Sequence, residues 1–319
     1  MCFLVVEAQN ECEAKMAADH MRLDRALTLF LFRPLGCVCG SRRQRYLPIL
    51  MYHSISDDPE NGVPAYYRTC TSPAVFAQHL ELLRAGGCRV VSLSRGLEWL
   101  RDRQAGPENV LALTFDDGFR DFYTTAAPLL REHGSGATMF LPTAFIGTRP
   151  KIFQGRECMT WNEVRELRNV GIEFGSHTVN HLKLYELEFP RVRAEIEQSK
   201  TVIEDALGEP ICTFAYPYAF PSADRQFVGA FVDLLKGAGY KCGVTTTIGR
   251  VVPDPRPYTL KRLPVNSADD ESLFLAKLGG AYDWMALPQN ALKAWKGFVS
   301  TGRRGCIATA LPGTTNPSE

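Results

Sequence analysis

From Leu47 onward, short apolar runs alternate with amphipathic stretches, a pattern that predicts repeated βα units. Strands are expected at Leu47–Tyr52, Arg89–Leu93, Val110–Phe115, Ala137–Leu141, Ile172–Gly175, Ile211–Ala215, Gly243–Thr247 and Thr259–Leu263. Between them, Pro73–Ala85, Phe122–Glu132, Trp161–Asn169, Pro190–Leu207 and Arg225–Gly237 read as helices, several opened by Pro or closed by Gly. Past Asp269, Leu273–Leu278 and Gln289–Lys296 read as terminal helices and Thr301–Glu319 as a loose polar tail. No internal repeat stands out.

The first forty or so residues lack this alternation. Arg25 to Arg33 holds seven uncharged residues between arginines, far short of the roughly 20 that a bilayer span needs. Acidic and polar residues from Glu7 to Asp24 also spoil a signal peptide. Were Met21 the biological start, the Arg-Ala-Leu-rich segment after it would lie on a membrane surface, a peripheral contact and not a span.

The most informative run is Leu111-Ala112-Leu113-Thr114-Phe115-Asp116-Asp117-Gly118, in which two adjacent carboxylates end an apolar stretch before a glycine. It reads as a buried parallel strand delivering acids at its carboxyl end, although Asp-Asp-Gly is also ordinary turn chemistry. Downstream, His177-Thr178-Val179-Asn180-His181 places two of only six histidines four apart. On a helical turn that spacing puts both imidazoles on one face, within reach of one divalent ion. A carboxylate from Asp116 or Asp117 would complete a His-His-Asp triad with positions left open for water and substrate.

With these residues in view, the chain resembles the polysaccharide deacetylases, carbohydrate esterase family four, also called the NodB homology domain. The carrying segments are Thr114-Phe115-Asp116-Asp117-Gly118, His177-Thr178-Val179-Asn180-His181 and Ala215-Tyr216-Pro217-Tyr218, and the resemblance runs from about Tyr46 to about Val265. It implies an α/β fold, a distorted (β/α) barrel usually of seven strands, which the alternation supports independently. It implies that Asp117, His177 and His181 hold the metal, that Asp116 is the general base, and that the backbone N–H of Tyr218 helps bind the oxyanion. The chain then divides into a 1–45 extension, a 46–268 catalytic barrel and a 269–319 segment of helices and tail.

Two departures from the family pattern matter. The arginine usual in the third motif is Ala215, and no histidine follows His181 to supply the late general acid. Deacetylases of poly-N-acetylglucosamine systems begin with a segment similar to Leu47-Pro48-Ile49-Leu50-Met51-Tyr52-His53-Ser54-Ile55, so the resemblance gives the acid role to His53; a strand-end histidine capping a loop is the bland alternative. A cation should hold Asp116 ionised in place of the missing arginine. Arg262, at the end of a short apolar run, is the candidate, against the reading of it as an ordinary surface arginine.

Composition changes the picture little. The 319 residues are 45% hydrophobic and 22% charged, with 36 Lys and Arg against 35 acids, so no basic field points to nucleic acid. Ten cysteines show no regular pairing, Cys37-Val38-Cys39 is too isolated for a zinc site, and thiol-rich usage leans to a reducing compartment. That conflicts with the extracytoplasmic, envelope-associated setting the family implies. Tyr216-Pro217-Tyr218 would wall the barrel mouth, and Trp161, Phe153 and Tyr185 would either extend a glycan groove or pack in the core.

The expected function is metal-dependent removal of acetyl groups from N-acetylated amino sugars in an exopolysaccharide or its precursor, with Zn²⁺ as the first-choice ion and Co²⁺ or Ni²⁺ as alternatives. Rival readings are a peptidoglycan or O-acetyl glycan deacetylase, and an inactive barrel that binds glycans.

Overall fold

In the computed structural model, which describes residues 22–38, 45–253 except 103, 105 and 107, and 256–289, parallel strands close into a ring. The strands are β1 (Ile49–Tyr52), β2 (Cys88–Val91), β3 (Asn109–Phe115), β4 (Thr138–Leu141), β5 (Glu173–Ser176), β6 (Thr213–Ala215), β7 (Cys242–Ile248) and β8 (Leu260–Pro264). All eight predicted strands are present, with ends moved by one or two residues. Seven of them make the barrel in the order β1-β3-β4-β5-β6-β7-β8, and β8 pairs back to β1. The eighth, β2, lies outside the ring on the first half of the edge of β3 that β4 takes further on.

Helices α1 (Pro73–Ala85), α2 (Leu93–Arg101), α3 (Ala127–Glu132), α4 (Trp161–Asn169), α5 (Phe189–Leu207), α6 (Arg225–Gly237) and α7 (Glu271–Leu278) pack outside the sheet. Local chemistry starts them: Ser72 caps α1, a Thr160/Glu163 capping box opens α4, and Asp224 caps α6. The predicted helix from Phe122 begins instead as a π-helical turn, Phe122–Ala126, because Pro128 has no N–H to continue an α ladder there. Helix α2 was not legible in the sequence. Its Gly96 weakens the helical signal, yet a Cβ at that position would press on both Leu47 methyls at 3.1 Å, so the glycine serves close packing.

A helical segment, Leu23–Leu27, Thr28–Phe32 and Arg33–Val38 in succession, lies against the residues that follow α7. Phe32 stacks on Trp284 at 4.9 Å, Trp284 donates to Thr28 Oγ1 at 3.0 Å, and Tyr282 donates to Asp24 at 2.8 Å. Arg25 meets Asp270 at 2.6 Å. Gln289, the first residue of the helix expected at 289–296, is helical, whereas 290–296, the polar tail, Met21 and the cysteines at 2, 12, 37, 39 and 306 lie outside the described residues or side chains. Of the described cysteines, Cys70, Cys158 and Cys242 are buried free thiols and Cys88 and Cys212 are half-buried.

Strand alternation decides what faces the barrel interior. On β3, Leu111, Leu113 and Phe115 join the core beneath the helices, while Val110 and Ala112 join a second apolar cluster with Ile49, Ala215, Val244 and Leu260. Continuing that inward row past Ala112 gives Thr114 and then Asp116. The same parity runs from Ile49 through Met51 to His53, from Gly175 to His177, and from Leu260 to Arg262. Four polar side chains from four strands thereby converge at the carboxyl end of the barrel. Gly175 leaves room for this layer, since a Cβ there would collide with Thr213 and come within 2.6 Å of Phe140.

Candidate active site

Asp117 follows Asp116 and by alternation would face outward. Its backbone is instead left-handed, φ 74°, which returns its carboxylate to the barrel mouth. Left-handed non-glycine residues are uncommon and carry strain. Of six among the described residues, four belong to this site: Asp117, Thr178, His181 and Tyr218. Gly118, at φ 65°, completes the turn beneath Asp117.

Asp117 Oδ1 lies 3.2 Å from His181 Nε2 and 3.5 Å from His177 Nε2. The three ligand-type atoms fall within 4.8 Å of one another, and all three residues are buried. His177 Nδ1 donates to the Ala215 carbonyl at 2.8 Å, which leaves the Nε2 lone pair free to face Asp117. Burial pushes the His177 imidazolium down to about 4, so the ring is neutral near pH 7, as a ligand must be. Burial would raise the Asp117 carboxyl, but the neighbouring His181 and the other imidazoles outweigh it and hold its pKa below the ordinary carboxylate value. Despite its short contacts, Asp117 Oδ1 has no hydrogen-bond partner of acceptable geometry. A buried carboxylate oxygen orphaned between two imidazole nitrogens fits a divalent cation.

The histidine pair does not sit on the helical turn expected from its spacing. His177 leaves the end of β5, and Thr178 and His181 then take left-handed conformations in a loop. Glu195 on α5 holds this loop: its carboxylate accepts from the N–H of Val179 at 3.0 Å, the N–H of Asn180 at 2.8 Å and the Asn180 side chain at 2.7 Å. Within the loop, the His181 N–H donates to Thr178 Oγ1 at 3.0 Å. Sequence reasoning missed Glu195, which lies on the helix after the loop and reads as one more helical acid.

Asp116 is gripped by Arg262, whose Nη1 and Nη2 reach Oδ1 and Oδ2 at 2.7 Å each. Arg262 is fully buried, not on the surface. Its Nε donates to the Thr245 carbonyl at 3.1 Å and Nη1 also reaches Thr114 Oγ1 at 3.2 Å. Burial alone would raise the Asp116 carboxyl; the Arg262 charge, helped by His177, overrides it and holds the group far below the usual carboxylate range.

His53 Nε2 stands 3.9 Å from Asp116 Oδ2, and its side chain is 19% exposed. The next residue, Ser54, donates to Asp121, a half-buried carboxyl whose pKa desolvation raises. The residue before, Tyr52, is anchored through its hydroxyl to His79 Nδ1 at 3.0 Å. Both flanks of His53 are therefore tied down.

Tyr218 is 44% exposed and meets the His181 ring edge-on at 4.6 Å. Tyr216 is buried among Phe220, Phe227 and Phe231, so only one of the two aromatics walls the mouth. Phe153 packs against His181 at 5.1 Å, Trp161 packs on the core, and Tyr185 packs on Phe227. None of these three lines the groove of about 830 Å³ that holds His53 and Tyr218.

Comparison with known proteins agrees with this geometry. The chain matches the family described as Polysaccharide deacetylase over residues 103–241. It is 30% identical over 240 residues to the Bacillus subtilis (strain 168) protein YxkH, which carries a polysaccharide deacetylase name, covering 74% of this chain and 75% of that one. The poly-beta-1,6-N-acetyl-D-glucosamine N-deacetylase of Escherichia coli (strain K12) is 29% identical over 140 residues, 41% of this chain and a 20% share of that longer protein. Among solved structures, the Streptococcus pyogenes deacetylase PplD in complex with acetate superposes with a TM-score of 0.64 at 25% identity, covering 74% of this chain and 99% of that one.

Proposed function

Because this chain belongs to the polysaccharide deacetylase family, and is thereby a hydrolase of carbon–nitrogen bonds other than peptide bonds, we propose that it removes acetyl groups from N-acetylated amino sugars of a polysaccharide or its precursor. The observation that carries the reading is the buried Asp117, His177 and His181 group set beside an ionised, doubly bonded Asp116. Asp117, His177 and His181 would hold the divalent ion, with Zn²⁺ suited to a His₂Asp donor set and Co²⁺ or Ni²⁺ as alternatives. Bound there, the ion supplies Lewis acidity to a water and to the acetyl carbonyl.

Asp116 takes a proton from the attacking water as the new C–O bond forms. Arg262 keeps it ionised and aimed, so no proton need leave it first. The Tyr218 N–H faces the oxygen on which negative charge develops. His53, when protonated, donates to the departing sugar nitrogen as the C–N bond breaks. Acetate and a free amino sugar result.

The name carried by the Escherichia coli relative supports a polymer of N-acetylglucosamine as substrate. The family setting supports action outside the cytoplasm; among the described residues no helix is long and apolar enough to cross a membrane. The deciding experiment measures acetate release from N-acetylglucosamine oligomers with Zn²⁺, Co²⁺ or Ni²⁺ added. Wild type should release acetate and Asp116→Asn should not. Equal release by both proteins would sink the mechanism, and none by wild type with any of the three ions would favour the inactive barrel.

A further inference from the structure

The helical segment that begins at Leu23 is fixed to the body by Phe32, Thr28, Asp24 and Arg25, as described above, yet its outer face is apolar. Leu23 and Phe30 are 65% and 79% exposed, and Leu27 and Leu31 are exposed beside them. Their spacing puts them on one side of a helix. This ridge runs into the groove that holds His53 and Tyr218, because Leu23 and Asp24 are also part of the groove wall. The wall continues with Met51, Ile248, Val265, Trp284 and Met285.

The apolar part of this wall suits an acyl or prenyl chain, while Tyr66, Tyr67, Arg68, Thr69, Thr246 and Gln289, which line the same groove, offer polar partners to the saccharide that such a chain would carry. Arg33 is exposed on the same helix and, among the described residues, has no ion-pair partner, which places a cation for an anionic headgroup. A second copy of the chain or a folded protein seated on the ridge would crowd the groove entrance. A fluid bilayer would instead deliver a ligand through it.

We propose that this apolar ridge lies in the interface of a lipid bilayer and that the adjoining groove takes an N-acetylated saccharide carried on a lipid. The inference about the substrate rests on the deacetylase reading above; the lipid contact does not. The ridge needs no spanning helix, since an interfacial helix binds through buried apolar area and headgroup charge.

The test uses the full chain, vesicles of mixed phosphatidylcholine and phosphatidylglycerol, and the double variant Leu27→Ser/Phe30→Ser, which leaves the groove wall untouched. Wild type should sediment with the vesicles, and the double variant should bind roughly tenfold more weakly or worse. Wild type should deacetylate N-acetylglucosamine on a polyprenyl pyrophosphate in those vesicles faster than a soluble N-acetylglucosamine oligomer. The double variant should lose that preference and keep the soluble rate, which also reports that it is folded. Absent or variant-insensitive sedimentation would overturn the lipid contact, as would a wild-type dimer that the double variant abolishes, since the ridge would then be covered by a second copy. Equal wild-type rates on the two substrates would overturn the lipid-borne substrate. A vesicle-bound chain that releases acetate from neither would count against the deacetylase reading and support the lipid contact alone.

Discussion

Arg262 and Asp116 meet as a buried two-pronged pair, Nη1 to Oδ1 and Nη2 to Oδ2 at 2.7 Å each, with the guanidinium held from a third side by the Thr245 carbonyl. The planar guanidinium matches the carboxylate in a way a lysine ammonium does not. The pair supplies what Ala215 withholds: a cation reaching Asp116 from β8 in place of one from the end of β6.

Arg262→Met leaves a buried carboxylate without its cation, and loss of one partner of such a pair costs about 3–5 kcal/mol. Arg262→Lys keeps a charge and loses the second prong, so its stability should fall less while turnover drops on the order of 10²-fold through misaimed Asp116. Urea unfolding and acetate release would check both. Wild-type stability in Arg262→Met would mean that Asp116 is not held by this pair.

His177→Ala, His181→Ala and Asp117→Ala should each lose tight Zn²⁺ binding together with activity, because each removes one of three donors. Asp116→Asn should retain one equivalent of Zn²⁺ and lose turnover. Equilibrium dialysis with metal analysis distinguishes the two behaviours. Loss of metal from Asp116→Asn would show that the roles given to the two aspartates are reversed.

His53→Ala should leave metal content and fold unchanged and slow N-acetyl hydrolysis by about 10²–10⁴. An acetyl ester of a good phenolate leaving group should slow much less, since that oxygen departs unprotonated. Equal slowing of amide and ester would make His53 a packing residue.

Glu195→Gln keeps the shape of the side chain but removes its charge and replaces one acceptor oxygen by an NH₂, so the backbone N–H groups of Val179 and Asn180 on one oxygen and the Asn180 side-chain NH₂ on the other can no longer all be accepted as they now are. Metal affinity should weaken about 10–100-fold, as expected when the support of a ligand is removed. A Zn²⁺ titration measures this directly, and an affinity equal to wild type would show that the loop holds His181 without Glu195.

Much of this protein could be read from its residues in order. The period of the apolar runs determined the strands because a buried parallel strand needs a continuous apolar stretch, whatever its neighbours. The Asp116-Asp117 pair at the end of such a run announced a site, and the spacing of His177 and His181 announced its partner loop. What one dimension did not determine is how those pieces meet. Arg262 is separated from Asp116 by 146 residues, and its sequence surroundings read equally well as a surface position. Asp117 faces the barrel mouth only through a left-handed turn, and the histidine pair converges through two more, where spacing alone suggested a helix. The chain sequence carries the local periods, since these depend on near neighbours and burial. Ring closure between β1 and β8 decided which distant charge would answer which, because a buried carboxylate must find its cation wherever the packed fold brings one.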